Sequence, residues 1–236
     1  MARVFVTGAT GFVGREVVPA LVERGAQVVA HVRPDSSRLA EWRERFGARG
    51  AEVDATPWEP AAMTATLRQR APTHVYFLIG TTRERARREG IGGDRYQAVD
   101  YGLCKILVDA AVAAGGRPRF VLLSSIGVGP SAMAGYLRAH WMAEEVVRTS
   151  GLPWLIARPS FISGPGRDDR RTGERVGAVV ADGVLAVTGL VAPRLRARYR
   201  SIRPEMLAAS LARLGLEGGP DRVVDGNDLR APEGER

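Results

Sequence analysis

The sequence predicts an α/β fold of the doubly wound type, a parallel sheet with helices on both faces. Three observations predict it. Short runs apolar on both faces, RVFVT, QVVAHV, HVYFLIG, RFVLLSS and PWLIARPS, alternate with longer segments of helical periodicity, the pattern of strands buried on both sides. The first run passes into the first helix through closely spaced glycines, VFVTGATGFVG. Glycines also stop two helices, Gly25 after LVER and Gly115 with Gly116 after AVAA, and each stop is followed at once by a strand, as a left-handed helix cap requires.

Taken in order, RVFVT is strand one, and REVVPALVERG is the helix behind the glycine loop. QVVAHV is strand two, AEVDA ends strand three and HVYFLIG is strand four. The charged, glycine-containing stretch TTRERARREGIGGDR, residues 81–95, lacks apolar periodicity and reads as a loop over the carboxyl edge of the sheet, where a lid would sit. A helix through DYGLCKILVDAAVAAGG, the strand RFVLLSS, a helix through WMAEEVVRTSG and the strand PWLIARPS follow. Residues 176–191 are apolar, but Asp182 and repeated glycines interrupt them, and a membrane span needs about 20 apolar residues. They read as core packing or a pocket wall. RVVDGNDLR closes the chain as a last short strand and turn. A length of 236 residues fits one domain over 1–236, with 164–204 as a small C-terminal segment on the substrate side.

Hydrophobic residues at 45% and charged residues at 25% are those of an ordinary globular protein. The net charge is +8, yet Lys105 is the only lysine. The excess is therefore a chain-wide arginine bias, and with no nucleic-acid-binding signature beside it, nucleic acid is not expected as a partner. Cys104 stands alone, which excludes an internal disulfide and gives no metal-ligand spacing, so no metal site is expected. The start of the chain lacks the continuous apolar run of a signal peptide, and a cytoplasmic location is the expectation. A small-molecule substrate is expected and no membrane span; the oligomeric state stays open.

VFVTGATGFVG carries the chemistry. Gly8, Gly11 and Gly14 fall where strand one turns into helix one, the context in which such a pattern holds a pyrophosphate. Side chains at the early positions would block its approach, and Gly14 lets the helix pack closely. Thr10, Phe12 and Val13 complete the loop, and the helix N-terminus offers N–H groups to phosphates. A dinucleotide cofactor is the reading. Arg33 ends strand two, 19 positions beyond Gly14, where a guanidinium suits an adenosine 2′-phosphate. This favours NADP(H). Asp35 lies close enough to take the ribose hydroxyl instead, which leaves NAD(H) open.

TGATGFVG, the strand ending LLSS, the tyrosine a short loop later and ARPSFISGPG together resemble the atypical branch of the short-chain dehydrogenase/reductase superfamily, whose fold is the Rossmann type. LIGTTR, AVDY, FVLLSSIG, GYLRAHWMAEEVV and GRDDRRTGE are similar to its Tat-interacting-protein-like oxidoreductases, an NADP(H)-binding group. The resemblance implies that Gly8, Gly11 and Gly14 form the phosphate loop, that Arg33 meets the adenosine phosphate and that Asp54 flanks the adenine. It places Gly80 and Thr81 along the ribose, and Pro159 and Ser160 beside the nicotinamide. It further implies Ser125, or its neighbour Ser124, as the catalytic serine and Tyr136 as the catalytic tyrosine.

The departure is His140, where the family has lysine. Tyr136 and His140 are four apart and share a helix face. A tyrosine with no positive charge near it is a poor base at neutral pH and still an adequate acid. Histidine could hydrogen-bond a ribose hydroxyl, directly or through water, or charge at lower pH and assist Tyr136. Drift under an arginine bias would more readily have supplied arginine. The expectation is a reductase of a small carbonyl compound through a Ser/Tyr site. The alternative is a non-catalytic NADP(H)-binding regulator, with nucleotide-sugar epimerisation disfavoured by a short C-terminal segment.

Overall fold

The computed structural model describes residues 1–80, 97–131, 135–164, 200–226 and 228–230. Thr81, the expected lid over 81–95, the apolar run 176–191 and most of the 164–204 segment lie outside the described residues. The elements are β1 (Arg3–Thr7), α1 (Gly14–Glu23), β2 (Gln27–His31), α2 (Leu39–Gly47), β3 (Glu52–Asp54), α3 (Pro60–Arg70) and β4 (His74–Phe77). A π-helical turn (Gln97–Tyr101) then runs into α4 (Gly102–Ala114), followed by β5 (Arg119–Leu123), α5 (Gly135–Thr149), β6 (Trp154–Arg158), α6 (Pro204–Leu216) and β7 (Arg222–Asp225).

The strands form one seven-stranded sheet in the order β3-β2-β1-β4-β5-β6-β7, with every neighbouring pair parallel. The chain winds outward in one direction through β3 and then, from β4, in the other. This is the doubly wound Rossmann arrangement, and its reversal between β1 and β4 opens a crevice at the carboxyl edge. Alternation along the strands divides the core in two. Val4, Val6, Tyr76, Val121 and Leu155 face the layer of α1, α2 and α6, while Phe5, Val75, Phe77, Phe120 and Ile156 face that of α3, α4 and α5, as a period of two dictates. Among the described residues no helix is long and apolar enough to cross a membrane.

The periodic reading passed over helices α2, α3 and α6, of which α6 is the longest. Pro204 stands in its first turn, where a missing N–H costs nothing, and its Leu207, Leu211 and Leu214 are buried in the first core. It lies directly on the sheet. The Tyr76 hydroxyl donates 3.2 Å to the Leu211 carbonyl, and a Cβ on Gly215 would stand 2.0 Å from that hydroxyl oxygen. Gly215→Ala should therefore overpack the site and cost about 1–3 kcal/mol, read as a lowered thermal midpoint; an unchanged midpoint would show that α6 is free to shift.

Candidate functional site

The loop between β1 and α1 is closed by its own backbone. Gly8 has φ +73°, a left-handed conformation that glycine adopts without strain, and a Cβ there would lie 2.6 Å from the Leu78 carbonyl carbon beyond β4. A Cβ on Gly14 would fall 2.1 Å from the Gly8 carbonyl oxygen. Gly14 thus lets the helix start on the loop itself, with Gly11 donating 3.0 Å to that same Gly8 carbonyl. The Phe12 side chain turns toward the far side of the crevice, its Cζ 3.4 Å from where a Cβ on Gly164 would stand, and Arg15 lies over its ring. Val13, before the first turn, supplies no side-chain cap to α1. No side chain competes for the start of α1, although Arg15, Glu16 and Val17 N–H already donate to the Gly11 and Val13 carbonyls; a glycine loop at a helix start of this kind fits the pyrophosphate of a dinucleotide.

The remaining expected cofactor residues follow the strand ends along this edge. Arg33 and Asp35, past β2, are exposed, with Arg33 Nε 3.8 Å from the Asp35 carboxylate. These are the two residues expected as alternatives at the adenosine ribose. Asp54 ends β3 opposite His31 and accepts 2.9 Å from the Thr56 backbone N–H. His31, buried beside it, is 2.7 Å from the Thr56 carbonyl and edge-on to Trp58. Gly80 is exposed past β4, and Thr10 is exposed in the glycine loop. Past β6, the Pro159 carbonyl accepts 3.0 Å from Ile126 N–H. The Ser160 hydroxyl donates to the Arg200 carbonyl and accepts 3.1 Å from Arg230.

The two serines differ. Ser124 is buried and donates 2.6 Å to Glu144 of α5. Ser125 is half-buried and donates to the Ile126 carbonyl at 3.3 Å, a long and weak bond. Ser125 is the serine whose hydroxyl can be given to something else. Helix α5 begins beside it, with Leu137 3.8 Å from where a Cβ on Gly127 would stand. Tyr136 is half-buried on that first turn, and its ring meets His140 edge-on with centroids 4.5 Å apart.

His140 is buried at 4% exposure, and among the described residues its Nε2 finds no hydrogen-bond partner. Burial pushes its imidazole down to about 4, against a smaller upward pull from Glu144. The charged assistance to Tyr136 expected at mildly acidic pH is thus lost, because desolvation outweighs the nearby carboxylate. Cys104 is buried, and burial together with Asp100 pushes its thiol up, so it is no nucleophile.

Sequence reasoning missed Glu144, which is fully buried and also bound by Arg158 and Arg148. The signal was present. An arginine closing an apolar strand, WLIAR, is a candidate partner for an anion on the neighbouring helix. The π-helical turn before α4, carrying buried Asp100, has no signature in the sequence.

A family model described as NAD(P)H-binding matches residues 8–184. Ceramide reductase of Caulobacter vibrioides is 29% identical over 69% of this chain and 47% of its own length. The mitochondrial protein fmp52 of Aspergillus fumigatus is 31% identical over 72% of this chain and 70% of its own. The chain therefore spans about half of the first relative and most of the second. Among solved structures, UDP-glucose 4-epimerase of Thermotoga maritima aligns with a TM-score of 0.66 at 19% identity, covering 97% of this chain and 80% of that one. That likeness shows the fold alone.

The buried imidazole has a pH signature. Its folded value lies near 4 against an ordinary 6.5, so below pH 6.5 the unfolded chain takes up a proton that the folded one refuses. Stability from this group is complete above pH 6.5 and is lost as pH falls toward 4, by up to ~1.4 kcal/mol per pH unit. His31 and His74 are also lowered by burial and contribute in the same direction, but both remain in His140→Gln. Urea unfolding at pH 7 and pH 5 should show a loss smaller by about 1–2 kcal/mol in that variant; equal losses would mean that His140 charges freely.

Proposed function

The chain belongs to the NAD(P)H-binding family, within the atypical branch of the short-chain dehydrogenase/reductases, and we propose that it is an NADPH-dependent reductase of a small carbonyl compound. One observation carries this reading. A half-buried tyrosine on the first turn of α5 and a serine with a weakly engaged hydroxyl just past β5 lie on the sheet edge where the glycine loop opens. Gly8, Gly11 and Gly14 with the uncapped start of α1 would hold the pyrophosphate, and Arg33 the adenosine 2′-phosphate.

A reduced nicotinamide, when bound, would supply the hydride that the carbonyl carbon accepts. The Ser125 hydroxyl donates a hydrogen bond to the carbonyl oxygen and fixes its direction. The Tyr136 hydroxyl gives that oxygen its proton as negative charge develops. A neutral tyrosine does this without help, whereas the reverse reaction needs a tyrosinate, which takes a nearby cation to form at neutral pH. His140 is neutral there. The site therefore suits reduction, and Tyr136 acts as the acid. Reductase is also the name of the Caulobacter relative.

A second reading, a dinucleotide-binding regulator without turnover, draws on that same missing cation. Titration of protein fluorescence with NADPH and NADH, then a carbonyl panel at pH 6 and pH 8, separates the two. Turnover of equal size at both pH values is expected; tight binding with none would favour the regulator, and no binding would sink both. Tyr136→Phe should lower kcat at least ~100-fold with NADPH affinity kept within about twofold, and an undiminished kcat would remove the tyrosine from the reaction.

Cofactor choice rests on Arg33. Arg33→Ala should weaken NADPH binding about 10- to 100-fold, the worth of charge-assisted bonds, and leave NADH unchanged. Equal effects on both would return the preference to Asp35.

A further inference from the structure

The Glu144 carboxylate is fully buried and receives four hydrogen bonds. Ser124 Oγ donates 2.6 Å to Oε1. Arg158 grips both oxygens, Nε at 2.8 Å and Nη2 at 2.6 Å, and Arg148 Nη2 reaches Oε2 at 3.1 Å. Burial alone would push the carboxyl up, but the bonds from Arg158, Ser124 and Arg148 outweigh it and hold it below the usual range. It is a fixed anion.

Its donors come from three elements. Ser124 follows β5, Arg158 ends β6 and Arg148 lies one turn further along α5. Tyr136, His140 and Glu144 are successive four-residue steps along α5, so they share one face. The carboxylate thus ties the face that bears the tyrosine to the strand end that bears Ser125. The backbone on either side of Ser125 is fixed as well, Ser124 N–H at 2.8 Å from the Ala157 carbonyl and Ile126 N–H at 3.0 Å from the Pro159 carbonyl. Stability does not account for the arrangement, because a well-packed apolar pair of similar volume often matches or exceeds a buried ion pair.

We propose that Glu144 is a positioning residue that sets the Ser125 hydroxyl against the Tyr136 hydroxyl, with Ser124 as its donor and not as a catalytic serine. The inference rests on the reductase reading. Glu144 acts through its neighbours and touches no reacting atom. Loss of the anchor lets the first turn of α5 drift from the strand end, which lowers kcat far more than cofactor affinity, since misplacement of a reacting group by about 1 Å costs on the order of 100-fold.

Two variants test this. Ser124→Ala leaves the arginines on Glu144 and removes the bond to the β5 end; Glu144→Leu with Arg158→Met replaces the ion pair by an apolar one. For each, thermal midpoint, KM for NADPH, kcat and hydrogen exchange over residues 136–144 are measured on the full chain. We expect the midpoint of Ser124→Ala to stay within ~4 °C of the parent, about 1 kcal/mol for a chain of this size. Its kcat should fall at least ~10-fold, with KM for NADPH within about twofold and faster exchange in the first turn of α5. The double variant should lose kcat likewise even where its midpoint is restored. Parental kcat in either variant would overturn the proposal. Should the parent reduce no carbonyl, the reductase reading fails on its own, and exchange decides the anchor: faster exchange at 136–140 with the midpoint kept upholds it, and unchanged exchange overturns it.

Discussion

Because its seven strands all run parallel, every strand of this sheet begins at one edge and ends at the other. Each return must cross a face as a helix or long connection, which covers both faces and leaves the carboxyl edge as the place where loops gather. The glycine loop, Arg33, Asp54, Gly80, Ser125 and Pro159 are far apart in sequence and share only the property of ending or following a strand. Parallel pairing turns that property into a common location. The reversal between β1 and β4 then sets the cleft beside the glycine loop, because α1 and α4, the helices that follow these two strands, pack on opposite faces.

Steric closure fixes the details at that point. The Gly8 carbonyl occupies the space in which Gly14 would carry a side chain, and Gly8 itself backs onto the peptide after β4. Loop, helix start and neighbouring strand therefore form one rigid contact. The glycines serve to bring backbone against backbone as much as to admit a ligand. The consequence for an anion is the same, since a helix that starts this close to the crevice points its N–H groups into it.

The features legible in the sequence were those with a local cause. Apolar runs, glycine caps at Gly25 and Gly115, and the strand–glycine–helix passage each depend on a few adjacent residues, and the sheet and its loop follow from them. The position of Tyr136 and His140 on one face was legible from their spacing. What was not legible depends on distant partners. Helix α6 is recognised by its fit to Tyr76, which is 135 residues from Leu211. The roles of the two adjacent serines are separated by a carboxylate 20 residues away. The burial of His140 is likewise a tertiary fact, and it decides the charge state that residue type alone leaves open.

Burial also explains why the arginine bias stops at position 140. The chain holds 34 lysines and arginines, of which only Lys105 is a lysine, and arginine would be the simple substitute for a family lysine. A guanidinium cannot shed its proton in a protein. At position 140 it would be almost wholly buried, one turn from a carboxylate whose four bonds are already taken by Ser124, Arg158 and Arg148. A buried guanidinium there would find that carboxylate already taken, and an unpaired buried charge is among the costliest groups a fold can hold. Histidine, unlike arginine, can enter such a place by becoming neutral. The same neutrality leaves no charge on the imidazole that meets the Tyr136 ring, so on the reductase reading the tyrosine serves more readily as an acid than as a base.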